Sequence, residues 1–248
     1  LVTVYSLLLM SIGLAHLLKA NQSKDLFWSG LRMFVQLLLV GYVLHLIFAL
    51  KTGLPVLLIL VVMIGFAVQT IGARVKKKMP HFYRVVGTAI LFGCGGMTFF
   101  FCTLVIGLDP WYDPRYLVPL AGMIIGNSMT GASLAVERLA AEFQERRDEI
   151  ETALCLGGTI QTVSEPAVSS AFRAALIPSV NAMAAMGLVF LPGMMTGQII
   201  SGTEPLIAVK YQIAIMCVIT GSVSLTTFLI LKLGYRAYFT PYQSLRED

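Results

Sequence analysis

Two strings of small residues in apolar surroundings hold the polar side chains best suited to chemistry. Residues 120–131 read LAGMIIGNSMTG, and residues 191–202 read LPGMMTGQIISG. Aligned without gaps they share Leu, Gly, Met, Gly and Gly, and they pair Asn127 with Gln198 and Thr130 with Ser201. Both carry G-x-x-x-G, Gly122 with Gly126 and Gly193 with Gly197, a spacing that lets membrane helices approach closely. Amides and hydroxyls beside such glycines can line a polar path, so Asn127, Ser128, Thr130, Gln198 and Ser201 are the candidates. Pro192 interrupts the second string and frees backbone carbonyls that a neighbour or water must satisfy. Met194 and Met195 are candidate soft-metal ligands, although thioethers equally fill irregular packing gaps. A serine nucleophile at Ser128 or Ser133 would need a base within hydrogen-bond reach. His16, His45 and His81 fall at predicted span edges or in a loop, which disfavours an intramembrane hydrolase.

A second candidate surface is the one long polar segment, 137–179. Its first half, ERLAAEFQERRDEIETALCLGG, places Leu139, Phe143, Ile150 and Leu154 on one helical face and Glu142, Glu145, Arg146, Asp148 and Glu149 on the others. Gly157-Gly158 supplies a stop. A second helix is expected from a Ser164 cap, through Pro166, to about Ile177 before Pro178. Such an amphipathic helix can lie on the membrane, pack against its own bundle, or fit a groove on a partner. In the docking reading Glu137, Arg138, Arg146, Arg147, Glu151 and Gly157 form the contact surface. The stretch from Glu151 to Gly157 resembles the E-A-A-x-x-x-G loop by which importer-type ABC permeases touch their ATPase, with Thr152 in place of the first Ala and a late Ile177-Pro178 pair.

The elements that must position these residues are read from hydropathy. The chain has 248 residues, 57% hydrophobic and 12% charged; a soluble domain carries about 25% charged residues. Seven apolar runs stand out, near 2–18, 33–50, 54–73, 85–108, 116–136, 180–200 and 206–233, each of about the length that crosses a bilayer. The first lacks a small-residue cleavage site and reads as a span, not a signal peptide. Fifteen of the 18 Lys and Arg residues fall on one side of this arrangement. The positive-inside rule then sets the N-terminus outside and the C-terminus inside. The net charge of +5 suits anionic lipid and requires no nucleic acid. No carboxylate falls mid-span, which argues against an ion-gradient carrier. The four cysteines form no cluster and read as small buried hydrophobes.

With the fifth span running inward and the sixth outward, the two Gly-rich strings look like inverted repeats framing a midplane path; chance similarity of Gly-rich helices is the competing account. The expectation is an all-α polytopic bundle of about seven helices. It comprises one transmembrane permease domain, 1–248, with a long amphipathic cytoplasmic coupling segment, 137–179, between the fifth and sixth spans. No G-x-x-x-x-G-K-[ST] loop occurs, so this chain is expected to bind no cofactor and to be no enzyme.

The strings GMIIGNSMTGASLAVERL (122–139), GLVFLPGMMTGQIISG (187–202) and YQIAIM (211–216) resemble the FetB-type permeases, the membrane subunit of a bacterial ABC transporter described as an iron exporter. Plant relatives of that family are linked to aluminium tolerance. The resemblance implies a partner ATPase that carries ATP and Mg, a permease homodimer, a bacterial inner-membrane location, and a role in metal export or metal-stress homeostasis. A self-sufficient carrier or channel for a metal ion or small solute is the alternative. Spans without carboxylates fit a chelated or transiently coordinated metal better than free iron.

Overall fold

The structure, a computed structural model, describes residues 2–17, 23–50, 53–75, 79, 81–240, 242 and 244–246. Lys19, Lys51, Lys76, Lys77 and Lys78, which enter the charge asymmetry, lie outside the described residues, as does the end of the first apolar run at Leu18. The chain divides into two compact units, Leu1–Thr52 and Gly53–Asp248. The first pairs α1 (Val2–Leu17) with α2 (Ser23–Leu50).

The second unit begins with α3 (Gly53–Arg74). A continuous helical span, Phe82–Val105, follows as α4 (Phe82–Ile90) and α5 (Gly96–Phe100), with π-helical turns at Leu91–Gly95 and Phe101–Val105. Next come α6 (Pro114–Glu145), α7 (Arg147–Cys155), α8 (Ile160–Ala185), α9 (Gly193–Ile200) and α10 (Pro205–Gly234), which closes in a 3₁₀ turn, Tyr235–Tyr238. No strand forms among the described residues. Five stretches are long and apolar enough to cross a membrane: Phe27–Ile47, Gly53–Arg74, Phe82–Val105, Pro114–Glu145 and Pro205–Tyr238.

Local chemistry explains the ends. Asp113 caps α6, its carboxylate accepting from the Arg115 amide at 3.0 Å, and Pro114 occupies the first turn, where a missing N–H costs nothing. At the end of α7 the amide of Gly157 donates to the Leu154 carbonyl (3.0 Å) and that of Gly158 to Ala153 (2.9 Å), the paired bonds of a Schellman stop. Gly157 takes φ +92°, a conformation that side chains disfavour. The expected glycine stop is therefore present.

Several expectations change. The helix after that stop starts at Ile160, capped by Thr159, whose hydroxyl accepts from the Thr162 amide at 3.3 Å. Ser164 is not the cap; it lies inside the helix and is buried. The same helix runs through Pro166 and Pro178 to Ala185. Its 26 residues span about 39 Å at 1.5 Å each. The stretch 137–179 is thus no separate polar loop. Packing explains why the prolines are tolerated: Ala167, Ala171 and Ala175 bury completely against Ala135 and Leu139 of α6, and tertiary contact outweighs the two lost backbone bonds.

The expected sixth span, 180–200, is not one helix. Met186 turns extended, Gly187 adopts φ +82°, and the chain folds back on itself until Pro192 starts α9. Finally, Glu142, expected on the polar face, is buried at 7% exposure. The apolar stripe of Leu139, Phe143 and Ile150 is consumed by the chain's own α8 and C-terminal segment, where Phe143 meets the Phe239 ring edge-on at 5.6 Å. That covers the face a partner groove would have taken.

Candidate functional site

The bundle centre is α6 packed against α3, α8 and α10. Within it lies a polar seam. The hydroxyls of Ser128 on α6 and Ser222 on α10 stand 3.0 Å apart, both fully buried. Ser222 also reaches the Gly93 carbonyl in the first π turn at 3.5 Å. One turn along α10, the Thr226 hydroxyl lies 3.6 Å from the Cys94 sulfur. Thr227, next along α10, and Thr98, on α5 of the span that carries Gly93, are buried, and their hydroxyls lack hydrogen-bond partners among the described residues. Buried polar groups are normally paired, so this seam holds spare bonding capacity at the point where three spans meet.

Glycine makes the seam possible. A Cβ on Gly93 would overlap Thr226, and one on Gly131 would sit 2.6 Å from the Val223 methyl and 3.3 Å from the Ala175 carbonyl. The expected contact glycines behave otherwise. A Cβ on Gly126, Gly193 or Gly197 would meet nothing within 4 Å, and one on Gly122 would meet only the Met63 methyl at 3.3 Å. Of the two G-x-x-x-G motifs, only Gly122 lies close against another helix, α3, among the described residues. Nor do the strings occupy matching positions: 120–131 lies within a 32-residue helix, whereas 191–202 is the eight-residue α9 with its flanking turns.

The remaining candidates fall on two surfaces. Asn127 and Thr130 are exposed on α6; the Asn127 amide donates to the Met123 carbonyl (2.8 Å) and the Thr130 hydroxyl to Gly126 (3.3 Å). On α9, which packs against α10, Ser201 donates to the Gly197 carbonyl at 2.8 Å and Thr196 to Pro192 at 3.1 Å, while the buried amide oxygen of Gln198 has no partner among the described residues. Met194 and Met195 are half-buried there. Among the described residues no group of three His, Cys, Asp or Glu side chains could hold a metal ion. Cys94 and Cys102 are buried as expected of small hydrophobes, but Cys155 and Cys217 are exposed.

The polar end of the bundle carries the other candidate set. Arg138 and Ser170 both donate to Glu142 Oε1 at 2.6 Å, and the Arg138 Nε donates to the Ser170 hydroxyl at 3.1 Å, which locks α6 to α8. Glu137 is exposed one position before this lock. Arg146 pairs with Glu149 at 2.8 Å and Arg147 with Glu151 at 2.9 Å along α7. Beside Gly157, Leu156 is 84% exposed at the tip. Sequence reasoning missed Ser222, Thr226, Ser170 and Leu156. The first two recur four residues apart on α10, one helix face, but nothing local names their partners on other helices.

The whole-chain comparisons agree with this architecture. Residues 1–239 match the family described as "Uncharacterised protein family (UPF0014)". The "UPF0014 membrane protein slr1647" of Synechocystis is 41% identical over 91% of this chain and 87% of its own length. The "UPF0014 membrane protein YjkA" of Bacillus subtilis is 35% identical over 97% and 94%. The "Probable iron export permease protein FetB" of Escherichia coli is 32% identical over 96% and 91%. No solved structure matches the chain. The five apolar spans and these relatives together make this chain a member of the UPF0014 family of membrane proteins, the family that includes FetB.

Proposed function

We propose that this chain is the permease subunit of an ABC transporter of the inner membrane, exporting iron or another metal species and driven by a separate ATPase. The observation that carries the reading is the 32% identity to the Escherichia coli protein, over 96% of the chain, together with an exposed tip suited to docking. In this reading α1 and α2 supply two crossings, and α8 with α9 form a broken sixth, for seven in all, N-terminus outside and C-terminus inside. A permease homodimer would cover the open glycines of α6 and α9.

The work of coupling falls to the α7 tip. Leu156 and Gly157 project beyond the ion pairs of Arg146 and Arg147 and would enter a cleft on the ATPase. The charged pairs around them govern specificity and association rate more than affinity. Because Ile150 of α7 is buried in one cluster with Leu139 and Phe143 of α6 and Ala171 of α8, and the Glu142 lock ties α6 to α8, a push at the tip moves both helices as one body. The 32-residue α6, about 48 Å long, carries that motion to the Ser128–Ser222 seam. Spare hydroxyls at Thr98 and Thr227 supply alternative partners as the spans shift, and Asn127, Thr130 and Gln198 line the path. Among the described residues no cluster of carboxylates stands near it, so that path suits a chelated or transiently coordinated metal.

The test is purification of the tagged chain in mild detergent, with ATPase activity assayed in the eluate. A co-purifying ATPase, lost in Glu151→Lys with Gly157→Leu, supports the permease reading. A chain free of ATPase that still moves metal ions into liposomes would overturn it and indicate a self-sufficient carrier.

A further inference from the structure

Where α8 and α10 meet at the charged end of the bundle, they leave a cavity of about 750 Å³. It is lined from one side by α8 and from the other by α10 and the turn that follows it. The helices run antiparallel: the Thr220 hydroxyl touches the Met183 sulfur at 3.8 Å, whereas Lys232 and Arg236 face the opposite end of α8. The cavity is therefore graded along the bundle axis. One end holds Phe172 and Phe228, and the other holds Gln161, Glu165, Lys232 and Arg236. Below it on α10, Leu225 and Phe228 expose apolar surface directly in line with Lys232.

Two further observations point to a ligand. Ser164 lines the cavity at 1% exposure, and its hydroxyl has no partner among the described residues. Neither cation has an ion pair among the described residues: the Lys232 ammonium rests over the Phe228 ring, 5.3 Å from its centre, and the Arg236 Nε donates to the Tyr235 hydroxyl at 3.0 Å. With Glu165, the lining carries one net positive charge, the complement of one phosphodiester.

We propose that this cavity binds the phosphate headgroup of a membrane glycerophospholipid, with Lys232 and Arg236 on the phosphate and the Ser164 hydroxyl donating to a phosphate or ester oxygen. The apolar ramp of Phe172, Phe228 and Leu225 receives the acyl chains, which is why a lipid fits and free phosphate does not. Glu165 accepts from a hydroxyl or ammonium of the headgroup. Basic pockets between membrane helices are a recurrent way to hold such headgroups.

The test is thermal unfolding of the full chain, delipidated in detergent and titrated with dioctanoyl phosphatidylglycerol. Removing both cations in K232Q/R236Q should weaken binding about 30-fold, at roughly one decade or less per charge near a membrane surface. K210Q, a charge at the other end of α10, should leave it unchanged. Ser164→Ala, which keeps the fold's volume nearly intact, should weaken binding about fivefold, the worth of one hydrogen bond, and decides the matter if the double variant does not fold. Binding unchanged in both variants overturns the proposal. Equal competition by inorganic phosphate also overturns it, in favour of a free-phosphate site. So does a K232Q/R236Q chain that keeps lipid but loses a co-purifying ATPase, which would assign the cavity to the partner.

Discussion

Ser128 and Ser222 lie 94 positions apart in the chain, yet their hydroxyl oxygens are 3.0 Å from each other with no access to solvent. The contact joins α6 to α10 at the level where the first π turn brings Gly93 alongside. Interhelical hydrogen bonds in membrane proteins average about 0.6 kcal/mol by double-mutant cycles. The S128A and S222A pair should therefore show a coupling of roughly 0.5–1 kcal/mol in reversible unfolding from mild detergent. Strict additivity would mean that the two hydroxyls do not act on each other.

The glycines separate into two classes that substitution should distinguish. Gly131→Ala must push a methyl into Val223 at 2.6 Å, so a loss of about 1–3 kcal/mol is expected. Gly126→Ala meets nothing within 4 Å and should shift the stability of the isolated chain by less than about 0.5 kcal/mol. Thermal unfolding of the two variants side by side checks this. Equal losses would restore the G-x-x-x-G motif of α6 as an internal contact.

Glu142 is the acceptor for both Arg138 and Ser170, so its removal strands two donors at the α6–α8 junction. Glu142→Ala should cost about 1.5–3 kcal/mol, the range for hydrogen bonds to a charged group. Limited proteolysis should then cleave between α7 and α8 faster than in the unaltered chain. Arg146→Ala, whose pair is exposed, should cost under about 1 kcal/mol.

Leu156 projects from the tip without packing against the core, so Leu156→Asp should leave the melting temperature of the chain unchanged. Under the proposed function it should remove the co-purifying ATPase. Retention of the ATPase at full yield would move the docking surface elsewhere on the chain. Because charge pairs flank the tip, association with the ATPase should weaken as salt rises, through screening over a Debye length of about 8 Å at physiological ionic strength.

What the sequence alone determined is what depends on local transfer energy and local geometry. Long apolar runs must leave water and close their own backbone bonds, so five helical spans were legible from hydropathy. Gly157-Gly158 had to end a helix, because the left-handed conformation of a Schellman stop favours glycine. The strings around Gly122 and Gly193 were enough to identify the family. How those helices meet depends on packing between segments far apart in the chain. Hydropathy records the lipid a residue could face and is blind to the helix it does face. Helix α8 therefore read as part of a polar loop: its Ala167, Ala171 and Ala175 turn inward against α6, and Gln161, Glu165 and Arg173 interrupt its apolar residues. For the same reason Glu142 looked solvent-exposed on its own helix, although α8 brings Ser170 to cover it. The Ser128–Ser222 bond likewise depends on two helices distant in sequence approaching over glycine, a distance that no residue type encodes by itself.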